Sequence, residues 1–135
     1  MKQPTPMLTS GILNPALLNL LARIRHTNTL VIADRGFPFW PQIETVDISL
    51  VDNVPTVLQV LDAIQANFKI GRVFAAEEFK VNNDQAHREA LLSRLNGIPL
   101  LFEPHVEFKK RVPWAIGLIR TGDTVQYANL IIESA

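Results

Sequence analysis

The 135-residue chain contains no cysteine. That removes a disulfide framework, a thiol nucleophile and a zinc–thiolate site, and it is compatible with a reducing, cytoplasmic setting. Only three histidines and one tyrosine are present, so acid–base chemistry near neutral pH rests on very few side chains. No two histidines share a metal-ligand spacing on one helix or hairpin, and no acidic ladder resembles a calcium loop; no metal is expected. Gly11, Gly36 and Gly71 stand alone, so no phosphate-cradling loop forms and no nucleotide cofactor is expected. An excess of one charge is missing too. Thirteen basic residues balance thirteen acidic ones, leaving no net positive field to draw in nucleic acid or an anionic membrane. No apolar run approaches the ~18 residues of a membrane-spanning helix. The early prolines of "MKQPTPMLTSGILNP" interrupt the apolar stretch that a secretory leader requires.

What is present is apolar. Hydrophobic residues make up 47% and charged residues 19%, enough for a sizeable core in a chain whose length fits one domain, residues 1–135. The near-zero net charge gives little self-repulsion and permits oligomers.

Asn14-Pro15 is a helix start, with Asn as cap and Pro at the first helical position. Leu17, Leu18, Leu21 and Ile24 recur at helical spacing and carry the helix to about Arg25 or His26. Residues 29–33, "TLVIA", form a continuous apolar run, the pattern of a central strand in a parallel sheet. "RGFPFWP" holds two prolines and a glycine in seven residues and must be loop. "TVDISLV" predicts a strand, "VPTVLQVLDAIQANF" an amphipathic helix, and "RVFAAEEF" a strand that ends in two carboxylates. "NNDQAHREALLSRLNG" predicts a third helix ended by Gly97, "IPLLFE" a strand, and "HVEFKKRV" a short helix stopped by Pro113. The tail "WAIGLIRTGDTVQYANLIIES" predicts two strands around a Thr-Gly-Asp turn. Helices alternating with buried strands specify an α/β layered fold with a mostly parallel central sheet flanked by helices and an antiparallel C-terminal strand pair.

In open sheets of this kind ligands sit beyond the carboxyl ends of the strands. Asp34, Glu77, Glu78 and His105 all fall there. His26, near the expected end of the first helix, either caps that end or handles protons. Asp34 is either a turn former or a site carboxylate, and His105 either a helix-start residue or a ligand group. Tyr127 and Asn129 alternate on the expected final strand and so share a face. His87 lies among Gln85, Arg88 and Glu89 and belongs to a solvated helix face. Trp40 and Trp114 suit either a sugar face or, more commonly, packing.

Taken in order, these segments resemble one family. "RHTNTLVIADRGFP", "FAAEEFK", "EPHVEFKKR" and "RTGDTVQYANLII" are similar to the corresponding motifs of the ribose pyranase and fucose mutarotase (RbsD/FucU) family, at similar spacing over nearly the whole chain. The resemblance implies His26 as catalytic acid and Asp34, His105, Tyr127, Ala128 and Asn129 as sugar-binding positions. It also implies toroidal decamers with sites between subunits, and interconversion of pyranose and furanose forms or anomers of a monosaccharide without a cofactor. Such a reaction needs only proton transfers: the ring oxygen gains a proton as the anomeric hydroxyl loses one.

The chain departs from the family pattern at Arg25, Asn28 and Arg35, which make the region more positive. Arg35 either pairs with a carboxylate or joins the binding site and selects an acidic or phosphorylated sugar. Two further alternatives are an L-fucose mutarotase and a non-catalytic sugar-binding or regulatory protein of the same fold. Geometry adds one expectation. At ~3.3 Å per residue, strand 29–33 holds His26 and Asp34 of one chain some 20 Å apart, so a site that uses both would need two subunits.

Overall fold

The computed structural model describes residues 11–135, so the residues on which the leader argument rests lie outside the described part. Helix α1 (Pro15–Ala22) starts where the sequence places it: the Asn14 side chain accepts from the Leu17 N–H at 3.0 Å, and Pro15 is the first helical residue. It ends earlier than its apolar spacing predicts. Arg23 closes the last turn, and the chain then turns sharply through Thr27, whose φ is 65°. His26 therefore lies beyond the helix, outside the reach of a dipole that fades within the last turn.

The remaining elements are β1 (Thr29–Ala33), β2 (Glu44–Asp47), α2 (Val57–Gln65), β3 (Ile70–Ala76), α3 (Glu77–Asn82) and α4 (Gln85–Leu95). After them come β4 (Leu100–Glu103), α5 (His105–Arg111), a 3-10 turn (Val112–Trp114), β5 (Gly117–Arg120) and β6 (Leu130–Ser134). A capping box between Thr56 and Gln59 starts α2. The two carboxylates expected at the end of the third strand instead open α3, where the helix start favours negative charge.

Six strands form one sheet in the order β2-β5-β1-β6-β3-β4. β1 runs parallel to β5, β5 to β2, and β3 to β4, whereas β6 runs antiparallel to both β1 and β3. Five strands thus point one way. The layered, mostly parallel architecture agrees with the sequence, but the two C-terminal strands do not pair with each other: β1 lies between them. The physical reason is that β1 is apolar at four successive positions, all fully buried, and a strand buried on both faces needs a neighbour on each edge. The Thr-Gly-Asp segment is accordingly no hairpin turn. Gly122 slips past the loop before α2, where a Cβ would stand 2.3 Å from the Val51 carbonyl oxygen, and residues 121–129 carry the chain across the end of β1.

Alternate residues of the strands feed two cores. Leu30, Ile32, Val73, Ala75, Ile119, Leu130 and Ile132 pack under α1, α2 and α4. Val31, Ala33, Phe74, Leu118 and Ile131 pack under Phe108 of α5, Val112 and the loop residue Phe37. Among the described residues no helix is long and apolar enough to cross a membrane. For the site, topology is what matters. The carboxyl ends of β1, β3, β4 and β5 and the start of β6 all meet at one end of the sheet, while residues 24–28 and Ser134 meet at the other.

Candidate functional site

At the carboxyl end of the parallel strands lies an open pocket of about 420 Å³, lined by Asp34, Gly36, Phe37, Pro38, Asn82, His105, Gln126, Tyr127 and Asn129. Four of the expected site residues meet in it. Asp34 follows β1 directly. Its backbone N–H donates to the Asn129 side chain at 2.7 Å, and its own carboxylate accepts from the Gly36 N–H at 3.0 Å. Asn129 is buried, so its Oδ1 is committed to Asp34 while its NH2 group has no partner among the described residues.

His105 opens α5. The helix has no side-chain cap of its own, and the Glu78 carboxylate accepts the His105 N–H instead, at 2.9 and 3.2 Å. The imidazole stands edge-on to Tyr127 (centroids 5.1 Å apart) and flat on Phe108 (5.8 Å). Tyr127 and Asn129 do not lie on the final strand, as their alternation predicts, but in the turn before it, and Tyr127 sits there at φ 56°. Left-handed backbone is costly for an aromatic residue and is retained where the surroundings fix it.

Burial sets the electrostatics. It pushes the Asp34 carboxyl above the usual carboxylate range. The N–H groups of Gly36 and Phe37 pull it back, Asp123 pushes it further up, and Arg120 lowers it. Burial also holds the His105 imidazole below its ordinary value, helped by Lys109 and opposed by Glu78 and Asp34. Nδ1 of His105 is buried without a partner. A neutral ring with its proton on Nε2 leaves only a lone pair there, which costs less than a stranded N–H.

His26 is not in this pocket. It lines a second one, of about 500 Å³, with Ile24, Arg25, Asn67, Phe68, Lys69, Ser134 and Ala135 at the opposite end of β1. The His26 Nδ1 lies 2.6 Å from the backbone oxygen of Ala135. An oxygen of that kind only accepts, so Nδ1 carries a proton and Nε2 is left for a ligand. Thr27 holds the turn, its hydroxyl donating to the His26 carbonyl at 2.6 Å and its N–H to Ser134 at 3.1 Å. One chain thus keeps His26 and Asp34 in separate pockets.

Four further residues stand apart. Arg35 forms an ion pair with Asp52 at 2.9 Å on the surface and does not line the Asp34 pocket. The Ala128 side chain turns into the core beside Val57 and Leu130, so only its backbone is near the pocket. Trp40 packs on Phe37, and Trp114, 86% exposed, lines neither pocket.

Sequence reasoning missed the supports. Arg120, Asp123 and Asn83 belong to the site's frame: Asp123 accepts the Val57 and Val125 N–H groups, and Asn83 donates to the Gln126 carbonyl at 2.8 Å. Their only signal was position, a charged or amide residue at or just past the end of a buried strand or short helix.

Residues 7–135 match the model of the RbsD / FucU transport protein family. The chain is 42% identical to the D-ribose pyranase of Geobacillus kaustophilus over 128 residues, covering 95% of this chain and 93% of that protein. Its fold matches that of Bacillus subtilis RbsD in complex with D-ribose with a TM-score of 0.89 at 32% identity, over 96% of this chain and 98% of that one. A Streptococcus pneumoniae fucose mutarotase in complex with L-fucose has the same fold, with a TM-score of 0.78 at 18% identity over 90% and 92% of the two chains.

Proposed function

This chain belongs to the RbsD/FucU transport protein family, and from that membership and the site geometry we propose that it is a cofactor-independent isomerase that interconverts the pyranose and furanose forms of a monosaccharide, with D-ribose as the leading substrate. The observation that carries this reading is the convergence of Asp34, His105, Tyr127 and Asn129 on one polar pocket in a chain 42% identical to a D-ribose pyranase.

In this proposal the Asp34 carboxylate and the Asn129 NH2 bind sugar hydroxyls, the neutral His105 donates from Nε2, and Tyr127 contributes its ring face and hydroxyl. The Ala128 backbone completes the wall. His26 of a neighbouring copy of the chain supplies the acid–base group. With Nδ1 held by a backbone oxygen, its Nε2 gives a proton to the ring oxygen or takes one from the anomeric hydroxyl. The open-chain aldehyde then closes through a different hydroxyl. Positioned acid–base groups contribute about 10²–10⁴-fold to such transfers. The proposal extends to a single 1–135 domain, a cytoplasmic setting, and a homo-oligomer, a decamer, in which each site spans two subunits.

Exchange NMR on the purified protein with D-ribose, L-fucose and ribose 5-phosphate tests the reading. The expected result is faster pyranose–furanose exchange of D-ribose, lost in His26→Ala by about 10²-fold or more. Faster exchange of L-fucose alone would assign a fucose mutarotase, and activity on ribose 5-phosphate alone an anionic sugar. Saturable binding without faster exchange would mean a sugar-binding protein and overturn the enzyme assignment.

A further inference from the structure

The Asp34 pocket rests on a cation that does not enter it. Arg120 is the last residue of β5, paired in register with Ala33 on one side and Asp47 on the other. Its Nη1 donates to the carbonyl oxygens of Asp34 (3.2 Å) and Arg35 (3.3 Å), and its Nη2 to that of Pro38 (3.3 Å). We propose that Arg120 is a positioning residue of the sugar site, its guanidinium gathering three carbonyls of loop 34–38 and so fixing where the Asp34 carboxylate and the Phe37 ring meet the substrate. This rests on the assignment of the Asp34 pocket as the sugar site.

Three features support the inference. First, the loop has few other ties. Pro38 has no N–H, and Gly36 bonds only back to Asp34. Its remaining polar anchors are the Arg35 N–H to the Asp123 carbonyl (3.0 Å), the Asp34 N–H to Asn129, and the exposed Arg35–Asp52 pair, beside the buried Phe37 ring that packs on Phe108. Without a cation the three carbonyl dipoles would converge on one another. Second, the bonds need a planar fork. Two guanidinium nitrogens at fixed separation span carbonyls four residues apart, which a single ammonium cannot do. Third, Arg120 forms no ion pair with a described residue; its charge is a small counterweight to the burial that raises Asp34, and adds slightly to the Ser49 hydrogen bonds that lower Asp47. The groups facing Asp34 are Arg120, Asp123, His105 and the N–H groups of Gly36 and Phe37. Arg120 is the cation among them, and it stands behind the pocket rather than in its lining.

The test compares D-ribose exchange and D-ribose binding, by NMR across pH, in the full-length wild type, Arg120→Gln, Arg120→Lys, Asp34→Asn and the double variants. A displaced loop costs about 10–100-fold in kcat/KM. Arg120→Gln should lose that much, and the acidic limb of its pH profile should move to higher pH, because the cation that lowers Asp34 is gone. Arg120→Lys should return the limb toward its wild-type position while recovering only part of the rate. In the Asp34→Asn background Arg120→Gln should add less than about twofold to the loss of ribose affinity, since independent sites add and coupled ones do not. Full additivity there, or an Arg120→Gln enzyme with unchanged rate and limb, would overturn the inference. If Arg120→Gln does not fold, Arg120→Lys measured with and without Asp34→Asn decides by the same criterion. Asp34→Asn with intact binding and exchange would instead refute the site assignment itself.

Discussion

The two ends of β1 carry the two titratable groups of the proposed site, Asp34 and His26, and they are built in opposite ways. At the carboxyl end Asp34 is half-buried and tied down. Asn129 binds its N–H, Arg120 gathers its loop, Thr121 binds the Ala33 carbonyl before it (2.8 Å), and burial raises its carboxyl pKa. At the amino end His26 is exposed, held by one bond from Nδ1 and by a left-handed turn at Thr27. One end is a braced polar pocket, and the other presents an exposed imidazole to the outside. A strand of five residues keeps them apart within one chain, and under the proposed function they complement each other across two copies.

After the loss expected in His26→Ala, the next largest effect is at Asp34. Asp34→Asn keeps an acceptor for the Gly36 N–H but loses the charge that binds sugar hydroxyls, and should cost about 10–100-fold in D-ribose affinity. Its stability should move the other way. Because the folded pKa is raised, Asp34 costs stability as pH climbs from the ordinary carboxylate range through the raised value, and that cost persists at neutral pH. Asp34→Asn should therefore raise Tm slightly at pH 7 and not at pH 3, which thermal melts at the two pH values check. A matched drop in both binding and Tm would make Asp34 a structural residue.

His105 gives a smaller, pH-dependent effect. Its folded pKa is lowered, so the unfolded chain takes up a proton first as pH falls through the imidazole range, about 6.5. Wild-type stability should decline below that range until the folded ring also protonates. His105→Gln should flatten this part of the melting curve and weaken ribose binding about tenfold, the loss of a hydrogen bond. The smallest effect belongs to Arg35. Its pair with Asp52 is exposed on both sides, 60% and 61%, and such pairs contribute about 0–1 kcal/mol. Arg35→Ala should leave D-ribose affinity and exchange unchanged; a large loss would move Arg35 into the site.

Most of the fold was legible because apolar spacing reports burial directly: the run 30–33 marked a strand with neighbours on both edges, and Asn14-Pro15 marked a helix start. The pairing of the last two strands was not legible. Local pattern shows that 117–120 and 130–134 are strands, but not that the chain between them crosses β1, which depends on the close approach of Gly122 to Val51. The site divides similarly. Asp34 and His105 were visible as polar groups just past apolar runs, and Tyr127 and Asn129 by their link to a family pattern. Arg120, Asp123 and Asn83 were not, because they act through backbone atoms of distant loops and leave no periodic trace. Arg35, conspicuous in sequence, takes a surface partner seventeen residues away.

The central claim, one site made by two copies, is tested most directly by complementation. His26→Ala and Asp34→Asn chains, each impaired alone, would be co-expressed with different tags, co-purified, and assayed for D-ribose exchange at ribose concentrations below the wild-type KM. Random assembly should restore about one quarter of wild-type activity, since a site is whole when its His26 and its Asp34 come from opposite partners. Co-purified hybrids with no restored exchange would contradict the account and require both groups to act within one chain.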